Sequence, residues 1–315
     1  MGEFSAEWLA LREPADSRAR SDRLVGRLVQ WLVQRRGEQP APGPAEPLRV
    51  LDLGCGTGAN LRWLAPRLGP QSGVGRSFQQ VWTCVDLDTA LLAELPQRTA
   101  AWAEGLGLRV VDQGDGIQIQ GPGMDLRVRT LALDLATGLG HLPLSPGTLV
   151  VASALLDLVS ATWLEGLLRI CAGAGCPLLL ALTYDGRVVI APAHPSDGAL
   201  IDLVNAHQRR DKGLGPALGP RAPEQLAYSA ARLGLALQVA PSDWRLGPEE
   251  SATQAELIDG WAGAAREQAL AAGPDEAVGL LAEIALWHRA RMAALAARRS
   301  HIRVAHQDAL LLPLH

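Results

Sequence analysis

The sequence of 315 residues has few aromatic side chains and lacks a long hydrophobic run. Aromatic residues make up 4% of the chain, so Leu, Val and Ala must fill the core of a folded domain. No stretch of about 18 residues is free of charged and turn-forming residues, which excludes a transmembrane helix. The N-terminal sequence MGEFSAEWLALREPAD also lacks the basic and then apolar pattern of a signal peptide. We therefore expect a cytoplasmic protein without a membrane partner.

Cysteine and lysine are scarce as well. Among the four cysteines, Cys171 and Cys176 do not have zinc-ligand spacing, so we expect reduced thiols and no metal site. The net charge of −4 gives no excess of basic residues that would bind the phosphates of a nucleic acid, so we expect no nucleic acid partner. Lys212 is the single lysine among 29 Lys and Arg residues. Because every other basic position is Arg, a solvated surface cation would be expected to be Arg too, which makes Lys212 a candidate functional group.

Two regions are distinguished by composition. Residues 5–36 carry apolar side chains at helical spacing, with an expected break at Pro14 and with Asp16 as a candidate N-cap of the second helix. Residues 37–47 contain four prolines and predict a stiff linker. We therefore divide the chain into an N-terminal helical segment with its linker, 1–47, and a main domain, 48–315.

In the main domain, apolar strand patterns alternate with helical patterns. This alternation is typical of an α/β fold with a doubly wound, mostly parallel sheet that helices cover on both faces. Residues 107–133 hold three strand-like segments with glycine turns, which predict a hairpin inserted before the third core strand. Residues 187–230 break the alternation and predict an inserted cap. Strands are also expected at 48–53, 81–87, 147–153, 177–185, 235–246 and 301–314.

The strongest motif follows the first predicted strand, in the sequence VLDLGCGTGAN. Its glycines at alternate positions allow a tight turn in which backbone N–H groups approach a ligand closely. The acid-x-G-x-G-x-G order differs from the dinucleotide fingerprint, although a nucleotide oxidoreductase or a purely structural turn stays an alternative. The order resembles motif I of the class I S-adenosylmethionine-dependent methyltransferases. The residues of the motif that this resemblance assigns to the cofactor are Asp52, Gly54, Cys55, Gly56, Gly58 and Asn60.

The resemblance implies the class I methyltransferase fold, a seven-stranded mixed sheet, with S-adenosylmethionine as the cofactor. The glycine backbone of 54–58 would then hold the methionine moiety. Asp86 ends the second strand, where an acid of this family binds the ribose hydroxyls, and Leu87 follows it. Asp88 competes for the ribose but is better placed to cap the next helix.

Further cofactor residues are expected at the ends of the third and fourth strands. The family commonly has an acid at the position of Asp134 that accepts from the adenine amino group, with the backbone of Leu135 nearby; a helix N-cap is the alternative. Ser153 ends the fourth strand at the carboxyl edge, where open α/β sheets bind ligands.

The acceptor side is less clearly marked. Asp157 occupies the position where many small-molecule methyltransferases have a histidine, which leaves the catalytic base open. Tyr184 and His207 are the other candidate catalytic groups, and both could also be packing residues. Lys212 lies in a glycine-rich cationic stretch that is either a lid over the acceptor or a solvated surface. Arg12 is a candidate ligand of the methionine carboxylate or a surface arginine.

These observations predict an S-adenosylmethionine-dependent methyltransferase that acts on O or N of a small-molecule acceptor. A cofactor-binding module without catalysis is the first alternative, because Asp157 replaces the usual histidine. A protein methyltransferase is the second alternative. A nucleic-acid methyltransferase is disfavoured by the acidic charge and by the absence of an N/D-P-P-Y/F tetrapeptide. Assembly as a homodimer is left open.

Overall fold

The computed structural model describes residues 5–38, 46–69 and 79–313. The proline-rich linker predicted over 37–47 lies largely outside the described residues, and so does the polar loop before the second strand. The division into 1–47 and 48–315 stays a prediction. Within the described ranges, the chain forms one mixed sheet of ten strands with helices on both faces.

The strands follow the predicted order along the chain, with additions at the edges. Their bounds are β1 Leu48–Leu53, β2 Gln79–Asp86, β3 Arg109–Asp112, β4 Ile117–Gly121, β5 Met124–Ala132, β6 Leu149–Ser153, β7 Leu178–Ala191, β8 Ala236–Pro241, β9 Trp244–Leu246 and β10 His301–Leu312.

The strand order is β3-β4-β5-β2-β1-β6-β7-β10-β8, and β9 pairs with the end of β10. Five strands, β5, β2, β1, β6 and β7, are parallel neighbours. β10 lies between β7 and β8 and is antiparallel to both. The seven strands expected for the core are the spatial run β5-β2-β1-β6-β7-β10-β8. The sheet has ten strands because the inserted hairpin β3–β4 pairs with β5 and because β9 is a separate short strand beside β10. The doubly wound mixed α/β fold is therefore confirmed. The hairpin strands were predicted in addition to the seven, and the segment predicted as one strand over 235–246 forms the two strands β8 and β9.

Nine α-helices connect or cover these strands in the described ranges. Their bounds are α1 Ala6–Ala19, α2 Asp22–Glu38, α3 Ala59–Leu64, α4 Thr89–Gly105, α5 Ala161–Gly173, α6 Asp197–Gln208, α7 Ala222–Arg232, α8 Ser251–Ala272 and α9 Pro274–Ala296.

The N-terminal break does not occur where the proline predicted it. Pro14 lies on the solvent-exposed side of a continuous α1, and the chain leaves the helix at Arg20, whose ψ of 145° is extended. Asp16 is therefore inside α1 and is not the N-cap of the next helix, because its carboxylate binds Arg12 and Trp244 instead. The tertiary contacts of Asp16 outweigh the local preference of proline for the first turn of a helix.

Two apolar layers sandwich the sheet. On one face, α2, α3 and α4 pack against β1 and β2, and the predicted stripe of α2 is buried there. The buried residues of this stripe are Leu24, Val25, Leu28, Val29 and Leu32, and Val33 is partly buried against the same cluster. On the other face, α5 and α7 pack against β1, β6 and β7. A third cluster joins α6, α8 and α9 to the ends of β7, β9 and β10.

The segment expected to be a cap contains three different kinds of structure. Residues 187–191 continue β7, α6 packs against α8, and α7 packs with α5 on the sheet as an ordinary crossover helix. The cap over 187–230 stays a prediction. Among the described residues, no helix combines the length and the apolarity that a membrane crossing requires. The four cysteines are free and buried.

Leu28→Ala tests the packing of α2. Leu28 is fully buried in the first cluster, so its truncation should lower the free energy of unfolding by about 2–5 kcal/mol. Urea denaturation followed by tryptophan fluorescence measures this change. Leu286→Ala is the matched control, because Leu286 is 57% exposed on α9 and should change the stability by less than about 0.5 kcal/mol. Equal effects of the two substitutions would contradict the packing of α2 into the core.

Candidate functional site

The glycine turn adopts the conformation that the motif predicts. Gly54, Gly56 and Gly58 have φ angles of 64°, 52° and 87°, in the left-handed region that other residues rarely adopt. The N–H of Cys55 donates to the carbonyl of Val85 at 3.0 Å, which ties the turn to the neighbouring strand β2. The turn therefore projects beyond the carboxyl edge of the sheet, where α3 begins.

Asp52 lies beneath this turn and is 1% exposed. Its Oδ1 accepts from the side-chain amide of Asn60 at 3.0 Å, whereas its Oδ2 is buried without a hydrogen-bond partner among the described residues. Burial raises the pKa of Asp52 to about 7, against the lowering effect of the Asn60 hydrogen bond and the positive charge of Arg20. The acid of the motif thus holds the start of α3 and titrates near neutral pH.

Asp86 and Asp88 have different roles. Asp86 ends β2, and its carboxylate accepts from the N–H of Gly56 at 2.8 Å and from that of Asp88 at 3.0 Å. Asp88 is the N-cap of α4 and accepts from the N–H groups of Ala90 and Leu91 at 2.8 and 3.2 Å. The half-buried Asp86 carboxylate therefore joins the second strand end to the glycine turn, and its contact with ribose stays a prediction. Asp88 caps the helix.

A cavity opens above the turn and encloses about 1040 Å³ of empty space, part of it open to solvent. Its wall comes from the turn, the two strand ends beside it and one face of α1. The lining residues are Leu9, Arg12, Asp16, Arg20, Gly54, Cys55, Gly56, Thr57, Ala59, Asn60, Asp86, Asp88, Leu91, Ser153, Ala154, Leu155 and Leu158.

The helix α1 closes one side of this cavity. Leu9 lies against the glycine turn, since a Cβ added to Gly56 would approach its Cδ1 to 2.9 Å. Glu13 forms a twofold ion pair with Arg62 of α3 at 2.8 and 2.6 Å, which fixes α1 beside the turn. Arg12, a predicted ligand, lines the cavity and is held by Asp16 at 3.1 and 3.2 Å.

Sequence reasoning did not find Asp16 and Arg20 as site residues. Asp16 is 4% exposed and accepts from the Trp244 indole at 3.0 Å as well as from Arg12. Arg20 is also buried, and it donates to the hydroxyl of Ser153 at 2.9 Å. The spacing of Arg12, Asp16 and Arg20 at i, i+4 and i+8 puts all three on one helix face. This spacing was the signal in the sequence, and the expected break at Pro14 concealed it.

Several other predicted cofactor residues do not line the cavity. Leu87 is 48% exposed after β2. Asp134 accepts from the N–H of Ala136 at 2.9 Å and so closes the turn after β5. Leu135 is buried in the second cluster, and its carbonyl accepts from the Trp163 indole at 2.6 Å. Their contacts with adenine or ribose stay predictions.

On the acceptor side, Asp157 and Lys212 interact. Asp157 is 9% exposed, and its Oδ1 is buried without a hydrogen-bond partner in the described ranges. Burial raises the pKa of Asp157, and the positive charge of Lys212 opposes the rise. Lys212 is half-buried and donates to the side-chain oxygen of Gln208, and burial lowers its pKa. The single lysine is therefore a partly buried neighbour of the candidate base.

Burial raises the pKa of the Tyr184 phenol, and the negative charges of Asp185 and then Asp157 add to this rise. Its hydroxyl donates to Asn205 of α6 at 2.9 Å. His306 of β10, which sequence analysis missed, packs against Tyr184 and Trp244 with ring centroids 6.0 and 5.4 Å apart. Burial lowers the pKa of His306 to about 4, so its imidazole is neutral at pH 7.

His207 is in a different environment. It lies on α6, where its Nε2 is 3.0 Å from the Glu267 carboxylate of α8, and Arg210 binds the same carboxylate. These contacts are partly exposed. His207 does not line the cavity, and neither do Asp157, Tyr184 and Lys212. The described geometry does not bring His207 together with Asp157 and Tyr184.

Comparisons with known proteins give only distant similarities. No family model matches the chain, and no curated protein matches its sequence. A cyclopropane-fatty-acyl-phospholipid synthase-like protein from Lactobacillus casei ATCC 334 is 13% identical, with a TM-score of 0.48 over 97% of this chain and 99% of that one. A SAM-dependent methyltransferase from Thiobacillus denitrificans, solved with S-adenosylhomocysteine, is 16% identical, with a TM-score of 0.41 over 98% and 99%. An O-methyltransferase family protein from Burkholderia thailandensis is 19% identical, with a TM-score of 0.37 over 70% and 54%.

The fold itself is evident from the chain's own topology. Its mixed, Rossmann-like sheet has a glycine turn after β1 and an antiparallel β10 between β7 and β8. This is the class I methyltransferase fold that the motif implied.

Asp52→Asn tests the titration of the buried motif acid. Its folded-state pKa of about 7 is above the ordinary value of 3.8, so the folded protein keeps a proton that the unfolded chain releases. The stability that this group contributes is therefore lost as the pH rises toward 7. The variant should gain stability relative to the wild type between pH 5 and 7, by up to about 1.4 kcal/mol per pH unit. Chemical denaturation at several pH values measures the free energy of unfolding of both proteins. The prediction is contradicted if this free energy changes with pH in the same way for the variant and the wild type.

Proposed function

We propose that this protein transfers a methyl group from S-adenosylmethionine to N or O of a small-molecule acceptor. The observation that supports the proposal most directly is the glycine turn at the end of β1, which lines a cavity together with the Asp86 carboxylate at the end of β2. In an open α/β sheet, this carboxyl edge is where ligands bind. The distantly similar methyltransferase from Thiobacillus denitrificans was solved in complex with S-adenosylhomocysteine, the product that such a transfer leaves behind.

The residues present fit this cofactor. A Cβ at Gly54 would approach Leu155 to 3.3 Å and fill the narrow space between the turn and the residues after β6. Asp86 offers a half-buried carboxylate that can accept from a ribose diol, and the open volume has both polar and apolar walls. When bound, the cofactor supplies a sulfonium-activated methyl group, which needs an aligned nucleophile more than covalent help.

Asp157 is the proposed general base. Its pKa is raised by burial, which brings a carboxylate closer to the basicity needed to remove a proton from an N–H or O–H nucleophile near neutral pH. Tyr184, held by Asn205, would position the acceptor beside it. Lys212 would contact a polar or anionic group of the acceptor, since its amine is a compact charge on a flexible stem.

The test is a binding measurement followed by a turnover measurement. Calorimetry with S-adenosylmethionine determines whether the cofactor binds. Incubation with the methyl-labelled cofactor and a metabolite extract should then release S-adenosylhomocysteine and place the label in the small-molecule fraction. Binding without release would favour the non-catalytic module, and label in the protein fraction would favour a protein methyltransferase. Absence of binding would overturn the proposal.

Asp86→Ala and Asp88→Ala separate the ribose ligand from the helix cap. Charge-assisted hydrogen bonds contribute about 1.5–3 kcal/mol each, so loss of the Asp86 carboxylate should weaken S-adenosylhomocysteine binding at least tenfold. Asp88→Ala removes the N-cap of α4 and should lower the stability by about 1 kcal/mol with a smaller effect on binding. Calorimetry and thermal unfolding measure the two effects. A greater loss of affinity in Asp88→Ala would reverse the assignment.

Lys212→Arg tests the acceptor side once an acceptor is found. The guanidinium keeps the charge but is larger and planar, so it should not fit a half-buried position built for an ammonium. We expect unchanged cofactor affinity together with a lower kcat or a higher KM for the acceptor. Arg210→Lys, at an exposed ion pair with Glu267, is the matched control and should leave the kinetics unchanged. If Lys212→Arg has wild-type kinetics, the glycine-rich stretch around Lys212 does not contact the acceptor and is an ordinary solvated surface.

A further inference from the structure

Arg20 is a buried cation with unused hydrogen-bond donors. It ends α1, its side chain is 1% exposed, and its Nη2 donates to the Ser153 hydroxyl at 2.9 Å. Its Nε and Nη1 are buried without a hydrogen-bond partner in the part of the chain that is described. A buried, charged donor without a hydrogen bond destabilises the folded protein. The Nε and Nη1 of Arg20 therefore need a hydrogen-bond acceptor.

The carboxylate nearest along the helix is already engaged. Asp16 accepts from the Nε and Nη2 of Arg12 at 3.1 and 3.2 Å, and from the indole of Trp244 at 3.0 Å. Its Oδ2 is 3.9 Å from the Nη2 of Arg20, which is too long for a hydrogen bond. Asp16 therefore forms hydrogen bonds with Arg12, and with Arg20 it forms an ion pair without a hydrogen bond.

Two other carboxylates lie around Arg20. Asp308 of β10 accepts from the backbone N–H groups of Ser21 and Leu182 at 2.7 and 2.8 Å. Asp52 accepts from the Asn60 amide through Oδ1, and its Oδ2 has no hydrogen-bond partner in the described ranges. The negative charges of both carboxylates reduce the free-energy cost of burying the positive charge of Arg20, but neither carboxylate forms a hydrogen bond with it.

The guanidinium of Arg20 lies over the Trp63 ring, with its central carbon 5.4 Å from the ring centre, and its other neighbour is the cavity. Arg20 lines it together with Ser153 and Gly54, at the end where β1 and β6 meet the glycine turn. The missing acceptor can therefore come from a ligand, and a carboxylate is the group that pairs best with a guanidinium. Arg12 lines the cavity too, but two of its nitrogens already bind Asp16, whereas two nitrogens of Arg20 have no hydrogen-bond partner in the described ranges.

We propose that Arg20, and not Arg12, binds the α-carboxylate of the methionine moiety of S-adenosylmethionine. This assignment rests on the proposed function. It makes the amino-acid end of the cofactor a specificity determinant, because a ligand that lacks the carboxylate leaves the buried guanidinium unpaired. The Ser153 hydroxyl holds the guanidinium at this end of the cavity.

The experiment compares two ligands that differ at this end. S-adenosylhomocysteine carries the amino-acid moiety, and 5′-methylthioadenosine has the same adenosine and a thioether without it. Calorimetry on the full chain should show that Arg20→Met weakens S-adenosylhomocysteine binding at least tenfold and changes 5′-methylthioadenosine binding by less than twofold. Arg18→Met is the control, because Arg18 is exposed on the same helix and pairs with Glu250; it should alter neither affinity.

Equal losses for the two ligands in Arg20→Met would overturn the proposal, since a merely structural role weakens both. A selective loss in Arg12→Met with none in Arg20→Met would overturn it as well. If Arg20→Met does not fold, Arg20→Lys keeps a charge and should show a smaller loss confined to S-adenosylhomocysteine. A wild-type protein that binds the carboxyl methyl ester as tightly as S-adenosylhomocysteine also contradicts it. If the wild-type protein binds neither nucleoside, the proposed function itself fails.

Discussion

The buried carboxylate of Asp16 is the contact on which the candidate site depends. It holds Arg12 on the same helix and accepts from Trp244 of β9, so it joins the N-terminal helix to the far edge of the sheet. Because α1 supplies one wall of the cavity, this contact determines whether a pocket or an open strand edge faces the solvent. A carboxylate that is 4% exposed requires such partners, since an unpaired buried charge would destabilise the fold.

Local patterns predicted the parts of the site that are adjacent in sequence. The glycine turn, the end of β2 at Asp86 and the helix cap at Asp88 each depend on a few consecutive residues, and the structure has them where the sequence indicated. The contribution of α1 was not predictable in this way. Pro14 indicates a break in the local sequence, whereas the contacts that keep α1 continuous come from Arg62 and Trp244, which are distant along the chain.

The acceptor side shows the same limit of local reasoning. Asp157 was found because it follows a core strand, and Tyr184 because a strand was expected to end beside it, whereas β7 continues past Tyr184 to Ala191. His306 packs beside Tyr184 only because β10 lies next to β7. His207 was singled out by the glycine-rich, cationic stretch beside it, yet α6 directs it toward Glu267. Burial then determines the protonation of these groups. It lowers the pKa of His306, which stays neutral at pH 7, and it raises the pKa of Asp157.

The position of β10 has a consequence for how the protein folds. β10 is the last strand along the chain, yet in the described sheet it is the strand that joins β8 to β7. While a ribosome is still producing this strand, β8 has no neighbour in that sheet, and its backbone groups are open to other partners. The β7–β10–β8 pairing also spans long sequence separations, which slows folding. A nascent chain therefore exposes the unpaired edges of β7 and β8 until β10 is inserted between them, and unpaired strand edges promote aggregation.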